Sequence, residues 1–427
     1  MSLITLAVLG GSGVGTPELF NALLNWPRGS ESRPEIRVRL LGRSTSKLER
    51  VLAISRQIVQ DANPPIHIEA VTEWYEGLEG ADYVLNQVRV GGLDARAHDE
   101  IFPQKLGIPG EETIGPGGFA NALRTIPVVL EALELIHKVA PDAIILNLTN
   151  PAGIVQHAAM RYTNAHIISL CDSPITLGNE VARLLDLPRT CITIDYLGMN
   201  HLGWIVDIRD GEQSLMDLAL TRIDQLTSAG IDSDYIRATR AIPIPYVRYY
   251  LYPERILKQQ EGKIPRARQL QMLEQELLVD YKYTTERNEG DPSTKVARRG
   301  AVWYSAIVVP VLEALVNDRR STWVVNIANN QLVPWLSPDT VIEVPAIIGH
   351  QGASSFKVAA HLLAEDLRTL LFSQAAYESL AVASIVERDH ERALQALVAH
   401  PLIRSVERAE SVLEAVWPTG GVIHDFH

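Results

Sequence analysis

The sequence predicts an α/β protein: a doubly wound, mostly parallel sheet in the amino-terminal part, followed by an α+β carboxy-terminal part. Three observations carry this. Short runs rich in Val, Ile and Leu alternate with stretches of helical periodicity as far as about residue 197. A glycine-rich turn follows the first run directly. Two later strand-to-helix junctions share one design, a polar residue at the strand end with proline at the start of the helix. Parallel strands buried on both faces need near-continuous apolar runs of this kind.

The first strand is Ile4 to Leu9, and the turn after it reads Gly10-Gly11-Ser12-Gly13-Val14-Gly15-Thr16-Pro17. Glycines let a backbone turn tightly and approach a pyrophosphate. Thr16 is placed to cap a helix and Pro17 to begin it, which leaves free amides for phosphate. Gly10, Gly11, Ser12, Gly13 and Thr16 are therefore candidate dinucleotide contacts. Thr16 stands where the third glycine of G-x-G-x-x-G would be, and an ordinary tight turn uses the same residues. The second strand, Ile36 to Leu41, ends in Gly42-Arg43-Ser44. An acid there would hold the ribose of NAD. Arg43 suits a 2′-phosphate instead, so NAD and NADP both stay open.

A helix over Ser46–Gln60 and strands near His67–Ala70 and Tyr83–Gln87 follow. The next stretch, from Arg89 through Arg96 to Glu100, reads as a loop whose two arginines could hold anionic or polyhydroxylated groups. Gly110 to Gly118, with Glu111, Glu112 and Thr113, is too glycine-rich for helix and leads to a long helix, Phe119–Val139. Ala143–Leu148 is a buried strand, with Thr149-Asn150-Pro151 at its end. His166–Leu170 is another, followed by Cys171-Asp172-Ser173-Pro174 and a helix from Ile175 to Asp186. Ser173 is a good cap and Pro174 suits the first helical position. Asn150, Cys171 and Asp172 thus share the carboxyl edge of the sheet, where open α/β sheets bind ligands.

In the second part, a strand from Cys191 to Leu197 and another from Trp204 to Ile208 flank Gly198-Met199-Asn200-His201-Leu202-Gly203. A histidine in that turn is a ligand candidate, and Cys plus His with oxygen donors suits a divalent transition metal with open positions. Tyr246, Tyr249, Tyr250 and Tyr252 crowd together. A tyrosine can act as a base where a metal or cation lowers its pKa. Arg266 and Arg268 open a helix and form a candidate phosphate clamp. Lys295, Arg298 and Arg299 precede another helix and could help or face water. Strands at Thr322–Ile327 and Thr340–Val344, a polar loop around His350, helices from Phe356 to about Val416 and a loose tail from Pro418 complete the chain.

The balance of 39 basic against 51 acidic residues gives a formal charge of −12 with no basic run, which argues against nucleic acid as a partner. Two cysteines in 427 residues exclude a disulfide framework and fit the cytoplasm. No apolar run approaches the roughly 18 residues that a membrane span needs, and the apolar first residues read as a strand.

Taken in order, these motifs resemble glycoside hydrolase family 4, the NAD- and divalent-metal-dependent glycosidases. The resemblance rests on the glycine loop through Leu19, Arg89-x-Gly91 with Arg96, Glu112-Thr113 before Gly115-x-Gly117-Gly118, Thr149-Asn150-Pro151, Cys171-x-x-Pro174, Gly198-x-Asn200-His201, Tyr246-x-Arg248-Tyr249-Tyr250 and Arg266-Ala267-Arg268. It runs along essentially the whole chain and implies a Rossmann-like, lactate/malate dehydrogenase-like NAD domain over residues 1–197. A substrate-, metal-binding and oligomerisation domain over 198–427 completes it, in a homodimer or homotetramer.

By the same resemblance Cys171 and His201 ligate Mn²⁺ or another divalent metal, and Tyr246 is the base. Arg96, Asn150 and Arg266 contact a sugar phosphate, with Glu112 and Asn200 beside the substrate and Arg89 beside the cofactor. The implied substrate is a phosphorylated disaccharide or aryl glycoside, closest to the 6-phospho-β-glucosidase branch. Asp172 departs from that branch, where Asn is typical, and matches the proposed acid of 6-phospho-α-glucosidases. Glu111 stands where Gln is common. The rival reading is an NAD(P)-dependent sugar or hydroxy-acid dehydrogenase with net redox turnover.

Overall fold

The computed structural model describes residues 3–26, 33–227, 230–287 and 296–418; Lys295 and the tail beyond Pro418 lie outside them. Among the described residues thirteen strands form one sheet: β1 (Leu3–Leu9), β2 (Glu35–Leu41), β3 (Ile66–Val71), β4 (Tyr83–Asn86), β5 (Ile144–Asn147), β6 (Ile167–Leu170), β7 (Thr193–Met199), β8 (Leu202–Asp210), β9 (Gln213–Ser214), β10 (Ile242–Pro243), β11 (Ser321–Ala328), β12 (Val341–Gly349) and β13 (Gly352–Ser355). The first six are parallel in the order β3-β2-β1-β4-β5-β6, which is the dinucleotide-binding order with its switch point between β1 and β4.

The alternation along β1 shows why this half is doubly wound. Leu6 and Val8 pack with Leu19, Phe20 and Leu23 of α1 (Pro17–Leu24). Ala7 and Leu9 face the other way, with Val129, Leu133 and Ile136 of the long helix after Gly115. A strand buried on both faces cannot shift register without exposing one set. Truncating Phe20, which is fully buried, costs about 3–5 kcal/mol.

The sheet does not end at β6. β11 pairs with it antiparallel, and β12, β7, β8 and β10 extend the sheet beyond. Residues 197 and 198 both lie within β7, so a division between them cuts through one strand. The segment 296–316 returns to pack on the first half, with Tyr304, Ile307, Val311 and Leu312 in the same core as β1.

Several expected elements differ. Residues 89–100 are not one loop: α4 spans Gly92–Lys105, after α2 (Thr45–Val59) and α3 (Trp74–Leu78). Its buried face includes Asp99 and Glu100, which pair with Arg124 and Arg96, so it lacks the apolar stripe that marks a helix in sequence. α5 begins at Gly115 and runs to Val139, and its glycines serve close packing. A Cβ at Gly117 would lie 2.2 Å from the Glu111 carbonyl oxygen. After α6 (Ala152–Tyr162), α7 covers Ser173–Leu184, so Asp172 occupies the N-cap position that Ser173 was expected to hold. The helix Glu365–Glu387 is long and apolar enough to cross a membrane, contrary to the reading that no such stretch exists; 56% of its apolar window is buried. It packs on α5, α6 and the helix His390–Ala399.

Candidate active site

The glycine loop joins β1 to α1 at the switch point. Gly10 has φ +83°, and a Cβ there would lie 2.8 Å from the Gln87 carbonyl oxygen, so only glycine fits. The Gly11 amide donates to the Leu41 carbonyl at 2.7 Å. Ser12 packs on Gly42, where a Cβ would come within 2.7 Å of Ser12 Cβ. Arg43 follows, exposed, at the carboxyl end of β2, with no acid at that strand end. Thr16 takes the cap position without capping: its hydroxyl accepts from Gln87 Nε2 at 3.0 Å. Tyr304 donates to Gln87 Oε1 at 2.7 Å, which ties the carboxy-terminal half to this loop. The cradle of small residues suits a dinucleotide pyrophosphate.

Arg89 and Arg96 converge on Glu112. Arg89 Nη1 pairs with Glu112 Oε2, and Arg96 Nη1 lies 2.7 Å from Oε1. Burial would raise Glu112, but these two guanidiniums outweigh it and hold the carboxyl below its usual range. Arg96 also binds Glu100, whose other oxygen accepts the Ala267 amide at 2.8 Å. That bond fixes the start of the helix Arg266–Arg287 beside α4. The two arginines there part company. Arg268 is engaged by Asp94 at 2.6 Å, whereas exposed Arg266 meets the Gln269 side chain at 3.2 Å.

Cys171 and Asp172 follow β6, and Asn150 follows β5. Asn147 and Ser169 are paired in register, so Asn150 and Asp172, each three residues further on, reach one edge. Ser173 is the first residue of α7, and its hydroxyl and amide act to lower the Cys171 thiol, against the burial that raises it. Burial, then Glu343 and Asp172, push the Cys171 thiol up, and burial raises Asp172 as well. A nearby cation would reverse the first effect and deprotonate the thiol.

His201 sits in the β7–β8 turn with φ +62°, an uncommon conformation for a side-chain-bearing residue. Its Nδ1 lies 2.7 Å from the Thr113 hydroxyl, which also bonds Glu111. Burial, then Glu112, raise the Glu111 carboxyl to about 7; once ionised it only accepts, so Thr113 donates to it and accepts Nδ1–H from His201. Nε2 is then left as a free lone pair, the form a metal needs. Burial drops His201 to about 4, so it is neutral at pH 7. Tyr246 stacks on the His201 ring at 3.7 Å and 7°. Burial, followed by Glu111, Cys171, Glu112 and Asp172, raises Tyr246 well above its usual range.

A tyrosine can act as a base in such a negative pocket only beside a cation. Among the described residues no three His, Cys, Asp or Glu side chains form a metal cage. One thiolate and one imidazole therefore fit a metal with open positions, not a structural zinc.

One feature escaped the sequence reading. Asn86, Asn147, Ser169, Asn326 and Glu343 lie side by side across β4, β5, β6, β11 and β12. All five are at most 2% exposed. Asn86 donates to Asn147 and Asn147 to Ser169 Oγ, both at 2.8 Å. Asn326 donates to the Ser169 carbonyl at 3.1 Å and to Glu343 at 3.2 Å. Glu343 also accepts from Tyr196 at 2.8 Å and from Asn200 at 3.3 Å, next to His201. Gly203 makes room, since a Cβ there would meet Tyr196 Oη at 2.1 Å. A lone Glu inside Val341-Ile-Glu-Val was the available signal.

Two family models match the chain: family 4 glycosyl hydrolase over residues 7–187 and the family 4 glycosyl hydrolase C-terminal domain over 196–403. A probable 6-phospho-beta-glucosidase of Bacillus subtilis is 31% identical, covering 96% of this chain and 95% of the relative. The 6-phospho-beta glucosidase of Thermotoga maritima, solved with manganese, NAD⁺ and glucose-6-phosphate, superposes with TM-score 0.85 at 27% identity over 97% of each chain. A 6-phospho-alpha-glucosidase from gut microorganisms, solved with NAD and glucose-6-phosphate, gives 0.85 at 25% identity over 98% of this chain and 99% of that one. Lactate dehydrogenase from Eimeria maxima shares the fold, with TM-score 0.55 at 16% identity over 91% and 97%. The chain belongs to glycosyl hydrolase family 4.

Proposed function

We propose that this protein hydrolyses 6-phospho-glycosides, with 6-phospho-β-glucosides as the main substrates, using NAD and a divalent metal. The observation that carries this is the stacking of Tyr246 on His201, close to Cys171 and Asp172. Gly10, Gly11, Ser12, Gly13 and Thr16 cradle the cofactor, with Arg43 and Arg89 at its edges. Cys171 and His201 hold the metal. Arg266, Arg96 and Asn150 fix the sugar phosphate, and Glu112 and Asn200 orient the ring. When bound, NAD⁺ and the metal supply hydride transfer at C3 and Lewis-acid polarisation of the oxygen there.

Tyr246 then takes the C2 proton, which an adjacent carbonyl acidifies. The C2–H electrons form the C1–C2 double bond as the C1–O bond breaks, and Asp172 donates its proton to the departing oxygen. Water adds back across that bond, and hydride returns to C3, so no net redox change occurs. Residues 1–197 supply the cofactor site and 198–427 the base, His201 and Arg266. The free thiols of Cys171 and Cys191 suit the cytoplasm.

Asp172 favours a second reading, the α-anomer, by the same route. Paired assays on 4-nitrophenyl 6-phospho-α- and β-glucosides decide between them. Cleavage by protein stripped of cofactor and metal would sink the mechanism. Net NADH formation would support the dehydrogenase. Solvent deuterium enters C2 in the wild type and should not in Tyr246→Phe; its persistence would assign the base elsewhere, with Tyr249 next in line.

A further inference from the structure

The site's cations are unevenly compensated. Arg89 and Arg96 share Glu112, Arg124 binds Asp99, Arg268 binds Asp94, and Arg298 binds Glu276 and Asp280. Arg266 and Arg299 differ: among the described residues neither forms an ion pair with a carboxylate. Arg299 is half-buried and lies along the glycine loop. A Cβ at Gly15 would come within 3.2 Å of its Cγ and 4.0 Å of its Nε. Its guanidinium is 5.3 Å from the centre of the Trp303 ring, which holds the side chain in place.

Arg89, Arg96 and Arg266 are the cations that bear on Arg299, with Tyr304 acting in the opposite sense. Three like charges around a partly desolvated guanidinium are unfavourable unless an anion joins them. With Arg89 and Arg96 neutralised by Glu112 and Glu100, two positive charges remain, which matches a phosphoryl dianion.

We propose that Arg299 and Arg266 together form a receptor for phosphoryl oxygens at the seam between the glycine loop and the sugar site. Arg299 is the new member of this pair. The proposal rests on the reading above for Arg266 and for the glycine loop, but not on the chemistry of cleavage. The same oxygens can come from the sugar's 6-phosphate or from the dinucleotide's pyrophosphate.

Calorimetric titration of the full-length protein separates these sources. The probes are glucose 6-phosphate, glucose and NAD⁺, each alone, against wild type, Arg299→Met and Arg299→Lys. Met keeps an apolar stem over Trp303 and removes the charge. The expected result is a loss of about 10- to 100-fold in Arg299→Met for one phosphorylated probe. Glucose should bind all three proteins alike, and Lys should recover part of the loss. A loss confined to glucose 6-phosphate assigns the sugar phosphate, and one confined to NAD⁺ assigns the pyrophosphate. Unchanged affinity for both in Arg299→Met, with a wild-type melting temperature, overturns the proposal. Arg266→Met distinguishes the underlying reading: if it leaves glucose 6-phosphate binding intact, Arg266 is not the phosphate ligand, whatever Arg299 does.

Discussion

Thr113→Val tests whether the outer nitrogen of His201 prepares it for metal. Valine matches threonine in shape, so the change removes a hydroxyl and little else. In the wild type that hydroxyl meets His201 Nδ1 at 2.7 Å and bonds Glu111. His201 is 5% exposed, so no bulk water replaces the lost partner. An unpaired buried N–H costs about 1–3 kcal/mol, and the imidazole is free to take the other tautomer, with its proton on Nε2. Metal affinity should fall by about 10- to 100-fold, the usual penalty for losing such a partner. Thr113→Ser keeps the hydroxyl and should bind metal within a few-fold of wild type. Electron paramagnetic resonance of free Mn²⁺ during titration measures this directly, without substrate or turnover. Wild-type affinity in Thr113→Val, in a protein where His201→Ala abolishes binding, would refute the relay while sparing the ligand. Binding that survives His201→Ala would remove the ligand itself.

Two further outcomes follow from the same geometry. Asp172→Asn should lose about 10²- to 10⁴-fold on alkyl 6-phosphoglucosides, whose leaving oxygens need a proton, and far less on 4-nitrophenyl ones; equal losses on both would deny Asp172 the role of acid. Glu378 is buried with its Oε2 unpartnered, and burial followed by Glu343 raises it to about 8. Its folded pKa lies above the unfolded 4.5, so the folded state holds the proton longer. Stability is full below pH 4.5 and falls as pH rises to about 8, by on the order of 4 kcal/mol for an isolated group. Denaturant melts of Glu378→Gln should show a smaller loss between pH 5 and pH 8 than wild type, and an unchanged loss would mean the carboxyl is not buried as protonated acid.

The parallel half was legible because β1, β4 and β6 are buried on both faces and β1 and β2 run directly into glycine. β1 and β2 each fall within a residue of the range read from sequence, and α1 begins at Pro17 as expected. Hidden features are those whose meaning is a partner distant in sequence. Arg96 and Glu100 look like solvated loop residues until α4 places them against Glu112 and the Ala267 amide. Arg268 looks like a phosphate ligand until Asp94, 174 positions away, is seen to hold it. Gly117 and Gly118 suggest flexibility in sequence, yet they sit inside a helix because backbone passes against them. Asn86, Asn147 and Ser169 each read as a polar residue tolerated in an apolar strand, since register cannot be seen from one strand.

That polar row also explains how two halves of unlike topology make one site. A parallel sheet whose exposed edge is β6 needs a partner there, and β11 supplies it in antiparallel sense. Apolar pairing alone would specify such a junction weakly, because sliding β11 along β6 by two residues keeps the same faces buried. Asn326 removes that freedom, since its amide reaches both the Ser169 carbonyl and Glu343 at only one register. A slip would break the Asn326–Ser169 bond and leave a buried carbonyl without its donor, a cost of about 1–3 kcal/mol. Glu343 then accepts from Asn200, so the register of the β6–β11 junction is passed to the turn that carries His201. Cys171 is two residues beyond Ser169 on one side of the junction, and His201 is one residue beyond Asn200 on the other. The hydrogen bonds of this buried row therefore link the two strand ends that carry the proposed metal ligands.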